Sequence, residues 1–279
     1  MRALLALFAL LLSSCADLSP QTRWQHADRL AFDVGWHRIQ LDTQAFDMTG
    51  YVPELPESID TLTVYVEGDG LAWFSRTQPS PDPTPRVPVG LQLAIRHEGG
   101  GAVYLARPCQ YTQSANARNC HSRYWTTHRF SPEVIDATNE SIALLKERYR
   151  AKHLILVGYS GGGAVAALVA ARRQDVVHLI TVAGNLDPKK WTELHRVTPL
   201  SGSLNPADFW QALQSIPQTH FLGAQDKNIP YSVFESYAER FPSNRRPDAI
   251  ILDGQGHHCC WVAEWPNLLI RTHGLRLRL

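Results

Sequence analysis

The chain has 279 residues, of which 44% are hydrophobic and 19% are charged, which is enough apolar material for one large core. Its 27 lysines and arginines nearly balance its 26 aspartates and glutamates, so the formal net charge is +1. Because this balance gives no basic field to hold a polyanion, we exclude nucleic acid as a partner.

The N-terminus has the pattern of a secretion signal. A charged start, Met1-Arg2, precedes an apolar run of about ten residues, which is too short to span a bilayer. The run closes with Leu12-Ser13-Ser14-Cys15, which resembles the lipobox of bacterial lipoproteins, where the cysteine is lipidated and becomes the mature N-terminus. The resemblance implies a signal peptide over residues 1–14 and an anchor at Cys15. Because Ala16 rather than aspartate follows, it implies the outer membrane, facing the periplasm. An ordinary cleaved signal with an incidental cysteine is the alternative.

The beginning of the mature chain divides into a tether and the first strands. Residues 16–35 carry no clear core pattern, so we interpret residues 15–35 as a lipidated N-terminus and tether, followed by one folded domain over residues 36–279. Early strands are predicted at Trp36–Leu41, Phe46–Tyr51 and Thr61–Val66. The last of these is rich in β-branched residues and is followed by Glu67-Gly68-Asp69-Gly70, the pattern of a strand that leads into a tight loop.

A proline-rich segment separates these strands from the middle of the chain. Five prolines between positions 77 and 88 exclude regular structure and predict an extended surface loop. The next elements are a helix over 91–97, a strand over 102–106, a polar loop over 107–130, and a helix that Ser131 caps and Pro132 opens.

Strands and helices alternate through the rest of the chain. The predicted order is a strand at 153–157, a helix at 164–171, a strand at 176–182, an irregular excursion at 184–217, a strand at 219–223, a helix at 231–241, a strand at 249–252 and a helix at 264–273. This alternation predicts an α/β fold with a mainly parallel sheet covered by helices on both faces.

Ser160 lies in the most informative run of the sequence. The run Leu156-Val157-Gly158-Tyr159-Ser160-Gly161-Gly162-Gly163-Ala164 places a glycine-framed serine between an apolar strand and a helix of small residues. A serine on such a sharp turn is the pattern of a nucleophile elbow, and side chains at Gly158 or Gly162 would collide with the neighbouring chain.

Four cysteines remain after Cys15. Cys109 and Cys120 bracket a polar loop, and we predict a disulfide between them, which suits an exported protein. Cys259 and Cys260 are then either a vicinal disulfide or two thiols. A zinc site is the competing interpretation, but adjacent cysteines lack the spacer that lets both sulfurs face one metal, so we expect no metal.

A nucleophilic serine needs a base, and the base needs a carboxylate to orient it. Asp226 follows the strand at 219–223, and His257 follows the strand at 249–252. Asp187 is the alternative acid because it follows the preceding strand, and His258 is the alternative base. We prefer Asp226 and His257.

These segments together resemble the α/β-hydrolase superfamily from about residue 60 to the end. The resemblance rests on the elbow, on the Gly-x-x-Asp-x-x-x-Pro segment from Gly223 to Pro230, and on the terminal Gly-His. It implies the α/β-hydrolase fold, the order serine, acid, histidine, and acyl transfer without a cofactor. Three further runs, around Glu67–Gly70, Arg107–Gln110 and Pro199–Pro206, are similar to bacterial lipoprotein hydrolases of undefined substrate.

The oxyanion of an acyl-transfer intermediate needs two hydrogen-bond donors. One is expected from the N–H of Gly161, the residue after the nucleophile. The second is expected from Asp69, with Gly70 next to it, although the superfamily often has His-Gly where this chain has Glu67-Gly68. A carboxylate facing an oxyanion is unfavourable, so the side chain of Asp69 should point away or bind another group.

The sequence thus predicts an anchored, monomeric serine hydrolase that acts on a small acyl substrate, with a carboxylic ester preferred over a thioester or amide. Two alternatives stay open: a non-catalytic envelope protein that uses the fold for binding or scaffolding, and an acyltransferase whose acceptor is not water.

Overall fold

The computed structural model describes residues 19–112 and 117–272. The strands of this part of the chain are β1 (Trp36–Asp42), β2 (Asp47–Pro53), β3 (Thr61–Val66), β4 (Gly101–Leu105), β5 (His153–Tyr159), β6 (Val176–Val182), β7 (Gln218–Gly223) and β8 (Ala249–Leu252). They form one sheet in the order β1-β2-β4-β3-β5-β6-β7-β8. The pairs β1/β2 and β2/β4 are antiparallel, and every other neighbouring pair is parallel.

The helices of the described residues cover this sheet. They are α1 (Pro20–Phe32), α2 (Val89–Ala94), α3 (Pro132–Arg148), α4 (Gly161–Ala170), α5 (Pro188–His195), α6 (Trp210–Leu213), α7 (Tyr231–Ala238) and α8 (Trp261–Ile270). The α/β fold with a mainly parallel sheet is therefore confirmed.

Two apolar cores lie on opposite faces of the sheet, because successive strand side chains point to opposite sides. In β5, Leu154 and Leu156 belong to the core shared with α3 and α4. The intervening Ile155 and Val157 belong to the core shared with α1, α2 and α8. Both sets are almost fully buried, which explains why the parallel strands have continuous apolar runs.

The parallel strands bring the predicted site residues to one edge of the sheet. Val66 at the end of β3 pairs with Gly158 near the end of β5. The loops after β3, β5, β7 and β8 therefore start at the same edge, which is where ligands bind in open α/β sheets.

The structure differs from the sequence prediction at the tether. Residues 20–32 form α1, which Ser19 caps by accepting a hydrogen bond from the N–H of Thr22. Ala27 and Ala31, four residues apart on one helix face, are buried against the sheet. The prediction was wrong here because these alanines are too small to stand out from the polar residues around them. The signal peptide over 1–14 and Cys15 lie outside the described residues.

The predicted irregular excursion at 184–217 was also wrong in part. It contains α5, α6 and a short 3₁₀ turn, Pro206–Phe209. Two helices begin earlier than predicted: α4 at Gly161 directly after the elbow, and α8 at Trp261. A second 3₁₀ turn, Ser122–Trp125, lies within the predicted polar loop at 107–130.

Candidate active site

Ser160 occupies the sharp turn between β5 and α4. Its backbone has φ 52° and ψ −121°, a conformation that L residues rarely adopt. A Cβ on Gly158 would lie 2.3 Å from the carbonyl oxygen of Gly162, and a Cβ on Gly162 would lie 2.3 Å from that of Val66. Glycine is therefore required on both sides of the turn, as the sequence predicts for a nucleophile elbow.

The structure brings Ser160, His257 and Asp226 together in one hydrogen-bonded row. Ser160 Oγ lies 3.0 Å from His257 Nε2, and His257 Nδ1 lies 2.8 Å from Asp226 Oδ2. The side chain of His257 is 9% exposed and that of Asp226 is fully buried. This geometry lets the imidazole take a proton from Ser160 while the carboxylate fixes its tautomer.

Backbone donors hold the carboxylate of Asp226 in place. Its other oxygen, Oδ1, accepts hydrogen bonds from the N–H groups of Asn228 and Ile229, both at 2.8 Å. These bonds fix the side chain, so the carboxylate faces His257 in one orientation.

The loop that carries His257 is held through its own backbone. Its carbonyl oxygen accepts hydrogen bonds from Tyr159 Oη at 2.9 Å and from Trp261 Nε1 at 3.1 Å. Tyr159 precedes the serine and Trp261 begins α8, so the positions of the base and the elbow are coupled.

The two alternative residues lie elsewhere. Asp187 caps α5 by accepting from the N–H of Lys190 at 3.0 Å, and it also binds Asn205 and Ser236. With its oxygens occupied at that helix terminus, it does not reach His257. The imidazole of His258 lies 3.0 Å from Tyr159 Oη rather than against Ser160.

The loop after β3 is anchored by a buried glutamate. Glu67 accepts hydrogen bonds from the N–H groups of Gly68, Gly90 and Leu91 and from Tyr104 Oη. Burial raises the pKa of this carboxyl, and the four hydrogen bonds act in the opposite direction. Glu67 thus ties the loop to α2.

Asp69 binds two arginines. Arg107 Nη1 lies 3.2 Å from one carboxylate oxygen and Arg129 Nη1 lies 2.7 Å from the other. Burial alone would raise the pKa of Asp69, but the two guanidinium groups outweigh it and hold the pKa below its usual value. The side chain therefore binds another group, as expected from the sequence.

Of the three predicted oxyanion-site residues, Asp69 and Gly70 line the same cleft as Ser160, and Gly161 directly follows the serine. Among the described residues no protein group accepts the N–H of Gly161 or of Asp69, and the first amides of a helix have no partner within it. Gly70 has φ +65°, and a Cβ there would lie 2.0 Å from the carbonyl oxygen of Pro83, so the turn requires glycine.

A cleft of about 590 Å³ opens over the serine. Its apolar wall includes Leu71, Trp73 and Val87, and its polar groups include Arg129 and Asn228. An apolar cleft with a few convergent polar groups suits a small organic substrate.

The described residues contain two disulfides. Cys109 is joined to Cys120, the predicted pair, and Cys259 is joined to Cys260 directly after His257 and His258. The second pair therefore forms a vicinal disulfide rather than two thiols. Cys260 has φ 77° and precedes α8.

In the described part of the chain, no cluster of three or more histidine, cysteine, aspartate or glutamate side chains is arranged to hold a metal ion. Over the same residues, no helix is both long enough and apolar enough to cross a membrane.

Several residues around the site were missed by sequence reasoning. Arg107 and Gln110 lie in a run noted only for its likeness to other hydrolases, and Arg129 had no signal at all. Gln110 Nε2 donates to the carbonyl of Gly68 at 3.0 Å, so this run supports the loop after β3. Trp191 was assigned to the irregular excursion, yet it lines the cleft.

The parallel sheet, the helices on both faces and the elbow define the α/β-hydrolase fold. The chain belongs to the serine hydrolase family FSH1, whose family model matches residues 101–260, a segment that includes Ser160, Asp226 and His257. No curated protein matches the chain in sequence.

Solved structures agree in fold. Esterase Pf2001 of Pyrococcus furiosus is 13% identical with a TM-score of 0.55, and the match covers 87% of this chain and 93% of that one. Est1E of Butyrivibrio proteoclasticus is 14% identical with a TM-score of 0.55, covering 84% and 98%. The α/β hydrolase GrgF of Penicillium sp. sh18 is 14% identical with a TM-score of 0.58, covering 85% and 96%. At these identities the likeness shows the fold, and the family match makes the protein a serine hydrolase.

Proposed function

We propose that this serine hydrolase cleaves a carboxylic ester with Ser160 as nucleophile, His257 as general base and acid, and Asp226 as the group that orients His257. The observation that carries the proposal is the row of contacts, 3.0 Å from Ser160 Oγ to His257 Nε2 and 2.8 Å from His257 Nδ1 to Asp226 Oδ2. Both distances are those of hydrogen bonds suited to proton transfer.

The reaction has two halves. Ser160 Oγ bonds to the carbonyl carbon as its proton passes to His257 Nε2, and the carbonyl oxygen becomes an oxyanion held by the N–H groups of Gly161 and Asp69. The oxyanion collapses, the alkoxide leaves with the proton from His257, and the acyl group stays on Ser160. Water then attacks the acyl-enzyme, His257 takes its proton, and the acid is released as Ser160 recovers that proton.

The cleft supports a small, largely apolar ester. Its volume of about 590 Å³ fits a modest acyl and alcohol pair, and Leu71, Trp73 and Val87 offer apolar contacts. The triad chemistry accepts a thioester or amide as well. We prefer the ester over the amide because an alkoxide leaving group makes a lower demand on the general acid than an amine leaving group does.

We further propose that the protein is lipid-anchored at Cys15 in the outer membrane and faces the periplasm. The support is the lipobox-like run that ends at Cys15, together with Ala16 rather than aspartate after it. Two disulfides also fit an oxidising compartment.

The substrate proposal is tested with p-nitrophenyl esters of increasing acyl length. Purified protein from residue 16 onward is expected to hydrolyse short and medium chains, and Ser160→Ala is expected to lose at least about 10³-fold in kcat/KM, since removing the nucleophile leaves only binding and the oxyanion site. Activity that Ser160→Ala retains would reject Ser160 as the nucleophile. A folded wild-type protein with no turnover of any ester would reject the ester proposal.

A further inference from the structure

The carboxylate of Asp69 lies against the first residue of α4. A Cβ on Gly161 would be 2.1 Å from Asp69 Oδ1, so the carboxylate occupies the space where other residues would have a side chain. The N–H of Gly161 is one of the two proposed oxyanion donors. A carboxylate at this place opposes the formation of a second negative charge, because like charges repel strongly where water is largely excluded.

Two buried arginines offset this charge. Arg107 and Arg129 each bind one oxygen of Asp69, at 3.2 Å and 2.7 Å, and their side chains are 5% and 7% exposed. Arg129 Nε also donates to the carbonyl of Thr126 at 2.8 Å, and Arg107 Nη2 donates to the carbonyl of Arg129. Each guanidinium is thus fixed by backbone as well as by Asp69, and neither is free to follow a substrate.

The same contacts fix the backbone of the loop after β3. Asp69 is held through its side chain by the arginines, while the preceding carbonyl of Gly68 accepts from Gln110. Because both sides of the peptide that carries the N–H of Asp69 are tied, this donor keeps one orientation, which is the requirement for a preorganised oxyanion site.

We propose that Arg129 and Arg107 are positioning residues for the oxyanion site: they hold Asp69 against α4 and cancel its charge, so that the two N–H groups stabilise the transition state. This inference rests on the proposed function. Arg107 also interacts with Glu67, so substitutions of Arg129 give the cleaner test.

The test is a double-mutant cycle of Arg129→Gln and Asp69→Asn, measured as kcat and KM on p-nitrophenyl acetate and as the rate constant for labelling by a fluorophosphonate. Arg129→Gln removes the nearer of the two guanidinium groups and leaves Asp69 paired with Arg107 alone, so the oxyanion meets a less compensated carboxylate. We expect about a 10- to 100-fold loss in kcat with KM within about twofold. Adding Asp69→Asn removes that carboxylate, so the double variant is expected to regain most of the loss.

Rescue by a second substitution separates charge from packing, since a purely structural role of Arg129 predicts that the double variant is no better than Arg129→Gln. Arg118→Gln is the matched control, because it breaks another arginine–aspartate pair, with Asp47, on the surface. If Arg129→Gln does not fold, the cycle is measured with Arg129→Lys instead. Lysine pairs less well with the carboxylate than arginine does, so adding Asp69→Asn must then raise kcat as well.

The outcomes separate the two proposals. A wild-type protein that neither turns over the ester nor labels defeats the proposed function itself. An active wild-type protein in which folded Arg129→Gln keeps its kcat, or in which Asp69→Asn restores none of the loss, overturns the positioning role alone.

Discussion

The positions of Ser160 and its partners depend on a few buried side chains whose orientation is fixed by hydrogen bonds. Asp226 is fully buried and uses one oxygen for two backbone N–H groups and the other for His257. Asp187 is just as buried but uses its oxygens at the start of α5. The two aspartates therefore offer a direct comparison of an orienting carboxylate with a capping one.

We expect Asp226→Asn to lower kcat by about 10³- to 10⁴-fold, because an amide in this place favours the wrong tautomer of His257. Asp187→Asn is the matched control; it should keep kcat within about tenfold and cost roughly 1 kcal/mol of stability, because an amide nitrogen replaces one of the two oxygens that accept from Lys190, Asn205 and Ser236. Ester turnover and urea unfolding measure the two effects. The reverse ranking in kcat would identify Asp187 as the acid.

At the level of elements, the interface between β6 and β7 buries two histidines that are held neutral. Burial lowers the pKa of His178 to about 4 and that of His220 to about 3. His178 binds Thr219, and His220 lies between Thr181 and Gln218. Neutral imidazoles suit these hydroxyl and amide partners, so protonation is disfavoured in the folded state.

This burial predicts a pH dependence of stability. Because the folded pKa values lie below the ordinary value near 6.5, the unfolded chain binds more protons, and stability falls as the pH drops from about 6.5 towards 4. The melting temperature should decline over this range. His178→Gln should flatten the decline, and a variant as steep as wild type would contradict the assignment to this histidine.

The two disulfides lie in different loops and should have different effects on stability and activity. Cys109–Cys120 closes a loop with a sequence separation of 11 beside the run that supports Asp69, while Cys259–Cys260 lies between His257 and α8. The first constrains the unfolded chain, and the second constrains the turn that positions the base.

Replacing Cys109 and Cys120 by alanine should therefore lower stability by about 2–3 kcal/mol. Replacing Cys259 and Cys260 by alanine should lower kcat. It should change the free energy of unfolding less than the Cys109/Cys120 replacement does, since so short a loop restricts the unfolded chain little. Urea unfolding and ester turnover, each on both double variants, test this contrast. Equal kcat in the wild type and the Cys259/Cys260 variant would show that the vicinal pair does not position His257.

For the whole molecule, the order of strands along the chain and the three candidate triad residues could be predicted from sequence because they depend on local patterns, whereas the order of strands within the sheet was not predicted. The elbow needs glycines beside Ser160, and strand ends place Asp226 and His257 at one edge. Arg129 could not be found in this way, because its role depends on a contact with Asp69, 60 positions away. Helix α1 was not predicted for a related reason: Ala27 and Ala31 are recognisable as core residues only once the sheet against which they pack is known.

The lipid anchor is a prediction about the whole protein. Full-length protein expressed in a Gram-negative host should fractionate with membranes, and Cys15→Ala should release it or leave it unprocessed, because Cys15 is the proposed site of lipidation. Cys120→Ala, which also replaces one cysteine by alanine, serves as a control that stays with membranes. Unchanged membrane fractionation and processing of Cys15→Ala would contradict the anchor.

The central claim is that His257 and Asp226 activate Ser160. The most direct measurement is to treat the protein from residue 16 onward with a fluorophosphonate and to locate the adduct by mass spectrometry, beside Ser160→Ala and His257→Ala. We expect a single adduct on Ser160 that both substitutions abolish. A folded protein that stays unlabelled, or an adduct on another residue that survives Ser160→Ala, would contradict the account.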